Sequence, residues 1–140
     1  MIVGLGTDVV EIDRVADVLA RHGDRFLERT FTEAERAYCD RAVGRAKAQR
    51  YAARFAAKEA CAKALRTGIG AGASLLEMEV VRLVAESTEA CKPDPDGSGP
   101  PTLRLSGTAE QTAAALGVRR IWLTLAHERS VAVATVVLED

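Results

Sequence analysis

The chain has 140 residues, a formal net charge of −1, and a composition of 48% hydrophobic, 28% charged and 4% aromatic residues. A chain of this length buries roughly two thirds of the surface its unfolded form exposes, so it needs neither a disulfide framework nor a structural metal to fold. The near-neutral charge provides no whole-molecule field for nucleic acid, and so few aromatics leave little scope for stacking on bases.

Ile2 to Val10 alternates small and branched residues and predicts a strand, with Gly4 and Gly6 marking a close backbone approach. Ile12, Val15, Ala16 and Leu19 then recur at helical spacing, and Gly23 is the expected stop. Thr32 and Glu35 form a Thr-x-x-Glu capping box, which starts a second helix at Thr32. The strongest helix is expected from about Arg45 to Leu65, rich in alanine, lysine, arginine and glutamate, with Tyr51, Phe55, Ala62 and Leu65 on its apolar side. A glycine loop, Thr67 to Gly70, ends it.

Glu77 to Val84 reads as a strand. Residues 86–101 hold all four prolines and two glycines, and read as a loop within one domain spanning 1–140. A short strand, Thr102 to Leu105, and a short helix, Gly107 to Leu116, follow. Ile121 to His127 and Ser130 to Leu138 form a hairpin turning at Glu128 and Arg129. The expected class is α+β: one long central helix and shorter helices packed on an antiparallel sheet.

Cys39, Cys61 and Cys91 are odd in number, widely spaced and without a CxxC pair, which fits a reducing cytoplasm; Cys61 reads as a small core residue. The first residues lack the basic and apolar regions of a signal peptide, and no apolar run reaches the ~20 residues of a membrane span. Charge is uneven: residues 1–70 hold 13 Lys/Arg against 10 Asp/Glu, and residues 71–140 hold 6 against 10. That excess suits phosphates or an acidic partner, and equally a helical surface of mixed charge.

Three places combine polar groups with apolar or glycine-rich surroundings. Asp8, near the end of the first strand, fits either a ligand for a hard cation or the cap of the next helix. Glu59 and Lys63 share one helix face, as an ordinary surface ion pair or as a site on which flanking alanines let a ligand lie close; Lys58, about 100° round the helix, is expected in solvent or near a distant phosphate. His127 shares strand parity with Ile121, Leu123 and Leu125, which suits a core histidine or a donor to phosphate at the strand end.

The order and spacing of these pieces carry more than each alone. Gly-x-Gly-Thr-Asp ending at Asp8, Phe-Thr-x-x-Glu ending at Glu35, Arg-Phe-Ala-Ala-Lys-Glu-Ala from Arg54 to Ala60, then Lys-Ala-Leu and Thr-Gly, and a late strand ending in His127 and an acid, closely resemble the holo-acyl-carrier-protein synthase family of 4′-phosphopantetheinyl transferases. The resemblance runs from Ile2 to about Val137, with a break at 86–101.

The resemblance implies a small α+β subunit, a homotrimer with active sites between neighbours, and Mg²⁺-dependent transfer of the phosphopantetheine arm of coenzyme A to a serine of an acyl carrier protein. It places Asp8 and Glu59 as magnesium ligands, Lys63 near the pyrophosphate, and Glu59 or a metal-bound water as the base. Arg54 and His127 face the phosphates of coenzyme A, His127 at the 3′-phosphate. Gly68 lines the nucleotide, and Thr124 keeps a hydroxyl where the family has serine. Arg14, with Arg21 and Arg25, receives the acidic carrier. Departures are Ala126 in place of serine, Glu128 in place of aspartate, Arg66 in place of glycine, Cys61 in place of a larger apolar residue, and the long loop. A non-catalytic coenzyme-A-binding subunit is the alternative; a basic-helix nucleic-acid binder fits poorly, and no membrane partner is expected.

Overall fold

The computed structural model describes residues 1–84, 94 and 98–140. Element β1 (Ile2–Glu11) leads into α1 (Ile12–Thr30), α2 (Glu33–Cys39) and the long α3 (Gly44–Ala64). A 3₁₀ turn at Leu75–Glu77 precedes β2 (Met78–Arg82). Then come β3 (Pro101–Leu105), α4 (Gly107–Ala115), β4 (Arg120–His127) and β5 (Val131–Glu139). The strands form an antiparallel three-stranded sheet, β1-β5-β4, and a separate antiparallel pair, β2-β3. This is the α+β architecture expected, with α3 laid across β1 and β5.

Small residues set how closely α3 approaches the sheet. A side chain at Gly6 would collide with the carbonyl of Ala60, and one at Gly4 with that of Ala64. Opposite them, Ala134, Val136 and Leu138 of β5 are fully buried. The helix is enclosed on nearly every side, because its alanines let neighbours close in all round. The single apolar stripe expected from its sequence therefore understates its burial. A second apolar cluster joins α1, α2 and the first half of α3 through Ile12, Phe31 and Tyr51, the last two rings 4.9 Å apart.

Three local expectations change. Gly23 breaks α1 with a positive φ of 44°, but the helix resumes to Thr30, since Leu27 and Thr30 are drawn into the core. Strand β2 is shorter than expected, ending at Arg82 rather than Val84. The loop expected at 86–101 lies mostly outside the described residues, and Pro101 already belongs to β3, at the strand's first position where a missing N–H is tolerated. The Thr32 capping box is present with both of its hydrogen bonds.

The two faces of the three-stranded sheet differ sharply. Its inner face carries α3. Its outer face consists of three cross-strand rows: Leu5–Val137–Trp122, Thr7–Thr135–Thr124 and Val9–Val133–Ala126. Leu5, Val9 and Trp122 are each more than half exposed on that face. Thr7 and Thr135 share a hydrogen bond at 3.0 Å in the middle row.

Candidate active site

The tight contact between β1 and α3 brings Asp8 beside Glu59 and Lys63. The Lys63 ammonium donates to Asp8 Oδ1 at 2.9 Å and to the Thr7 carbonyl at 3.0 Å. Asp8 is largely buried on its strand, while Lys63 is half exposed. Burial, and then the negative charge of Asp8, raise the Glu59 carboxyl above the ordinary glutamate range; Lys63 opposes them. Both carboxylates open on a cleft of about 480 Å³ between β1, α1 and α3, lined also by Arg14, Val18, Phe26 and Phe55.

Asp8 and Glu59 together offer hard oxygen donors of the kind magnesium takes. Their chemistry therefore fits such an ion. Among the described residues no group of three His, Cys, Asp or Glu side chains converges, so most of an octahedral shell would fall to water or substrate oxygens.

Arg54 and His127 lie elsewhere. Arg54 precedes Glu59 by five positions, which places the two about 140° apart around α3. It is buried, 3% exposed, and its Nε has no hydrogen-bond partner. With His127 it lines a second cleft of about 300 Å³, along with Tyr38, Gln49, Arg50 and Arg82. His127 has the inward parity of Leu125 but is exposed, because the strand runs past the cover of the core. Arg50 is one helical turn before Arg54, a spacing visible in the sequence; Arg82 and Tyr38 carried no such signal.

The remaining assigned residues scatter by element. Arg14, Arg21 and Arg25 are exposed on α1, and Arg14 borders the Asp8 cleft. Gly68 sits in the exposed turn after α3 with a positive φ of 65°. Thr124 is on the outer sheet face, in the threonine row. Arg66 adopts a positive φ of 63°, which accounts for glycine suiting this position, and its side chain donates to the Val3 carbonyl at 2.9 Å.

Lys58 corrects the sequence reading outright. It is fully buried, with its ammonium 2.7 Å from Glu35 Oε1 and within 3.0 Å of the Leu75 and Met78 carbonyls. The other Glu35 oxygen accepts from the Val80 N–H at 3.0 Å. The pair thus fixes α2, α3 and β2 to one another. Cys39 and Cys61 are buried free thiols pushed up to about 12 by burial, so they are inert core residues.

Residues 4–136 match the family model of the 4′-phosphopantetheinyl transferase superfamily. A holo-[acyl-carrier-protein] synthase from Methylobacterium radiotolerans is 46% identical, the match covering 99% of this chain and 94% of that protein. The crystal structure of the synthase from Neisseria meningitidis superposes with a TM-score of 0.79 at 28% identity, over the full length of both chains. The synthase from Bacillus anthracis, solved in complex with CoA (3′,5′-ADP), gives 0.72 at 36% identity, covering 99% of this chain and 96% of that one. The chain belongs to the 4′-phosphopantetheinyl transferase superfamily, within its holo-acyl-carrier-protein synthase family. Among the described residues no helix is long and apolar enough to cross a membrane.

Proposed function

We propose that this enzyme transfers 4′-phosphopantetheine from coenzyme A to a serine hydroxyl of an apo acyl carrier protein, releasing adenosine 3′,5′-bisphosphate, and that Mg²⁺ held by Asp8 and Glu59 supports the transfer. The observation that carries this reading is the meeting of two distant carboxylates with Lys63 at one cleft.

The serine oxygen attacks the β-phosphorus, and the bond to the leaving phosphate oxygen breaks. Displacement at phosphorus depends on positioning the reacting oxygens and neutralising the charge that develops. Magnesium, when bound, would supply that neutralisation and polarise the phosphoryl group. Glu59, or a water on the ion it would help to hold, is suited to take the serine proton. Lys63 contributes a second positive charge from the same helix face, directed at the pyrophosphate.

Arg14, Arg21 and Arg25 give α1 a basic exposed side beside the cleft, suited to an acidic carrier. Arg54 and His127 receive phosphate oxygens of coenzyme A, with Gly68 along the nucleotide. Because the Asp8–Glu59 cleft and the Arg54–His127 cleft lie on different sides of α3, one coenzyme A molecule reaches both most directly across the contact between two copies. The apolar outer face of the sheet suits such a contact, and a homotrimer joined there would also bring Thr124 into an interface. A cytoplasmic location fits the buried free thiols.

Mass spectrometry of an apo carrier protein incubated with the enzyme, coenzyme A and Mg²⁺ tests this reading. The expected result is a mass gain of about 340 Da on one serine, the phosphopantetheine group as it transfers in a displacement at phosphorus; an unmodified carrier under all conditions would refute it.

A further inference from the structure

The segment that follows α3 is braced on one side and bare on the other. Residues 67–73 leave the helix with the Thr67 and Gly68 N–H groups both donating to the Ala62 carbonyl. The segment then closes on itself where Gly70 and Ala73 exchange two backbone hydrogen bonds. Gly68 and Gly70 hold positive φ values of 65° and 145°, and nothing lies within 4 Å of where a side chain on either would start. That is the bare side. On the braced side Gly72 is gripped twice. It rests so close to Thr67 that a side chain there would fall 2.5 Å from the Thr67 methyl. Its carbonyl accepts from Thr112 Oγ1 of α4 at 2.8 Å.

Thr112 reaches this turn from a fixed base. Glu77, just past the turn, accepts from the Thr108 hydroxyl and the Ala109 N–H in the first turn of α4, and from the Ser74 N–H. Thr108 and Thr112 are four residues apart, so they share the helix face that looks on this segment. A helical threonine can give its proton to the carbonyl four residues back. Here that carbonyl, of Thr108, lies at 2.9 Å, and the Thr112 hydroxyl is shared between it and Gly72. Among the described residues, no other side chain from outside residues 67–73 bonds into them. Glycine loses more freedom on ordering than any other residue, so a turn holding Gly68, Gly70 and Gly72 depends on such ties to keep one shape.

We propose that Thr112 is a positioning residue for the donor nucleotide: its hydroxyl holds Gly72, and through it the turn at Gly68 and Gly70, in the one shape that receives the nucleotide on the bare side. The inference rests on the reading that coenzyme A is the donor and lies along Gly68. A turn already held in shape needs no further ordering when the nucleotide arrives, whereas a loose turn must be ordered at a cost in affinity.

Calorimetric titration of the purified protein with coenzyme A and with adenosine 3′,5′-bisphosphate, together with steady-state kinetics, tests it. Thr112→Val keeps the branched shape and removes the hydroxyl. It should weaken both nucleotides by about 3- to 10-fold, the range that one hydrogen bond supplies. The KM for coenzyme A should rise by the same factor, while kcat and the KM for the carrier stay within about twofold of wild type, as expected when binding alone is lost. Thr112→Ser should restore the affinity. Should Thr112→Val fail to fold, Thr67→Ser carries the test: it withdraws the methyl behind Gly72, keeps the hydroxyl that donates to the Gly68 carbonyl, and should weaken both nucleotides in the same way. A folded variant that only melts earlier, with wild-type nucleotide affinity, would overturn the inference while transfer from coenzyme A persists, as would equal rises in both KM values. A wild type that binds neither nucleotide would overturn this inference and the donor assignment together.

Discussion

Gly6 of β1 lies against the carbonyl of Ala60 in α3 so closely that no side chain fits between them. Asp8 is two positions further along the strand, and Glu59 is one position earlier in the helix. The distance between the carboxylates is therefore set by a glycine–alanine contact that carries no polar group. Gly6→Ala must push the strand from the helix, with an expected loss of about 1–3 kcal/mol in urea denaturation. Transfer per folded molecule should fall as well. A variant with native stability and native rate would show that the contact is not what sets the site.

The buried Lys58–Glu35 pair predicts a different kind of loss. Lys58→Met removes one charge and strands the other in the core, and such a break costs about 3–5 kcal/mol. Replacing both partners, as in Lys58→Met with Glu35→Gln, should recover part of that, because the unpaired charge disappears. A denaturation cycle over the four proteins measures the coupling. Additive losses would contradict the direct pairing.

On α1, Arg14 is exposed and borders the Asp8 cleft. Arg14→Glu should raise the KM for the carrier protein by roughly tenfold at low salt, with the effect shrinking as ionic strength rises. The KM for coenzyme A should change much less. Steady-state kinetics with each substrate varied in turn checks this, and an unchanged carrier KM would refute the docking role.

Glu77 ties the 3₁₀ turn to α4. Its carboxylate accepts from Thr108 Oγ1 at 2.9 Å and from the N–H groups of Ala109 and Ser74 at 3.0 and 3.3 Å. Desolvation pushes its carboxyl up, but these bonds prevail and hold it below the ordinary glutamate range. A carboxyl lowered on folding adds stability above its unfolded value, and loses it as pH falls through the folded one. Stability against thermal unfolding should accordingly fall as the pH drops below about 5, the range in which a glutamate takes up its proton. In Glu77→Gln that part of the slope should be missing. An identical acid slope in the variant would remove Glu77 as its source.

Much of this was legible in the sequence because it is local. The capping box at Thr32 and the β4–β5 hairpin follow from patterns spanning a few residues. Gly4 and Gly6 announced a close approach, though not to which element. Lys58 was misread because Ala-Ala-Lys-Glu looks like a solvated helix face, and its partner Glu35 already serves in the capping box, accepting from Thr32 N at 2.9 Å. Charge burial of this sort depends on α2 and β2 folding over α3, which periodicity does not encode. Gly23 had the sign of a helix stop, yet Leu27 beyond it is drawn into the core and the helix restarts. Arg82 joins the Arg54 cleft through tertiary contact alone, whereas Arg50 is one turn from Arg54 and could have been paired with it.

In the proposed function, Asp8 and Glu59 hold a single divalent ion. Titration of Mn²⁺, followed by the loss of its free-ion electron paramagnetic resonance signal in the presence of coenzyme A, tests that directly. The wild-type chain should take up one ion, and Asp8→Asn and Glu59→Gln should each bind it at least about tenfold more weakly, since each removes a charged oxygen ligand. Wild-type affinity in either folded variant would contradict the claim.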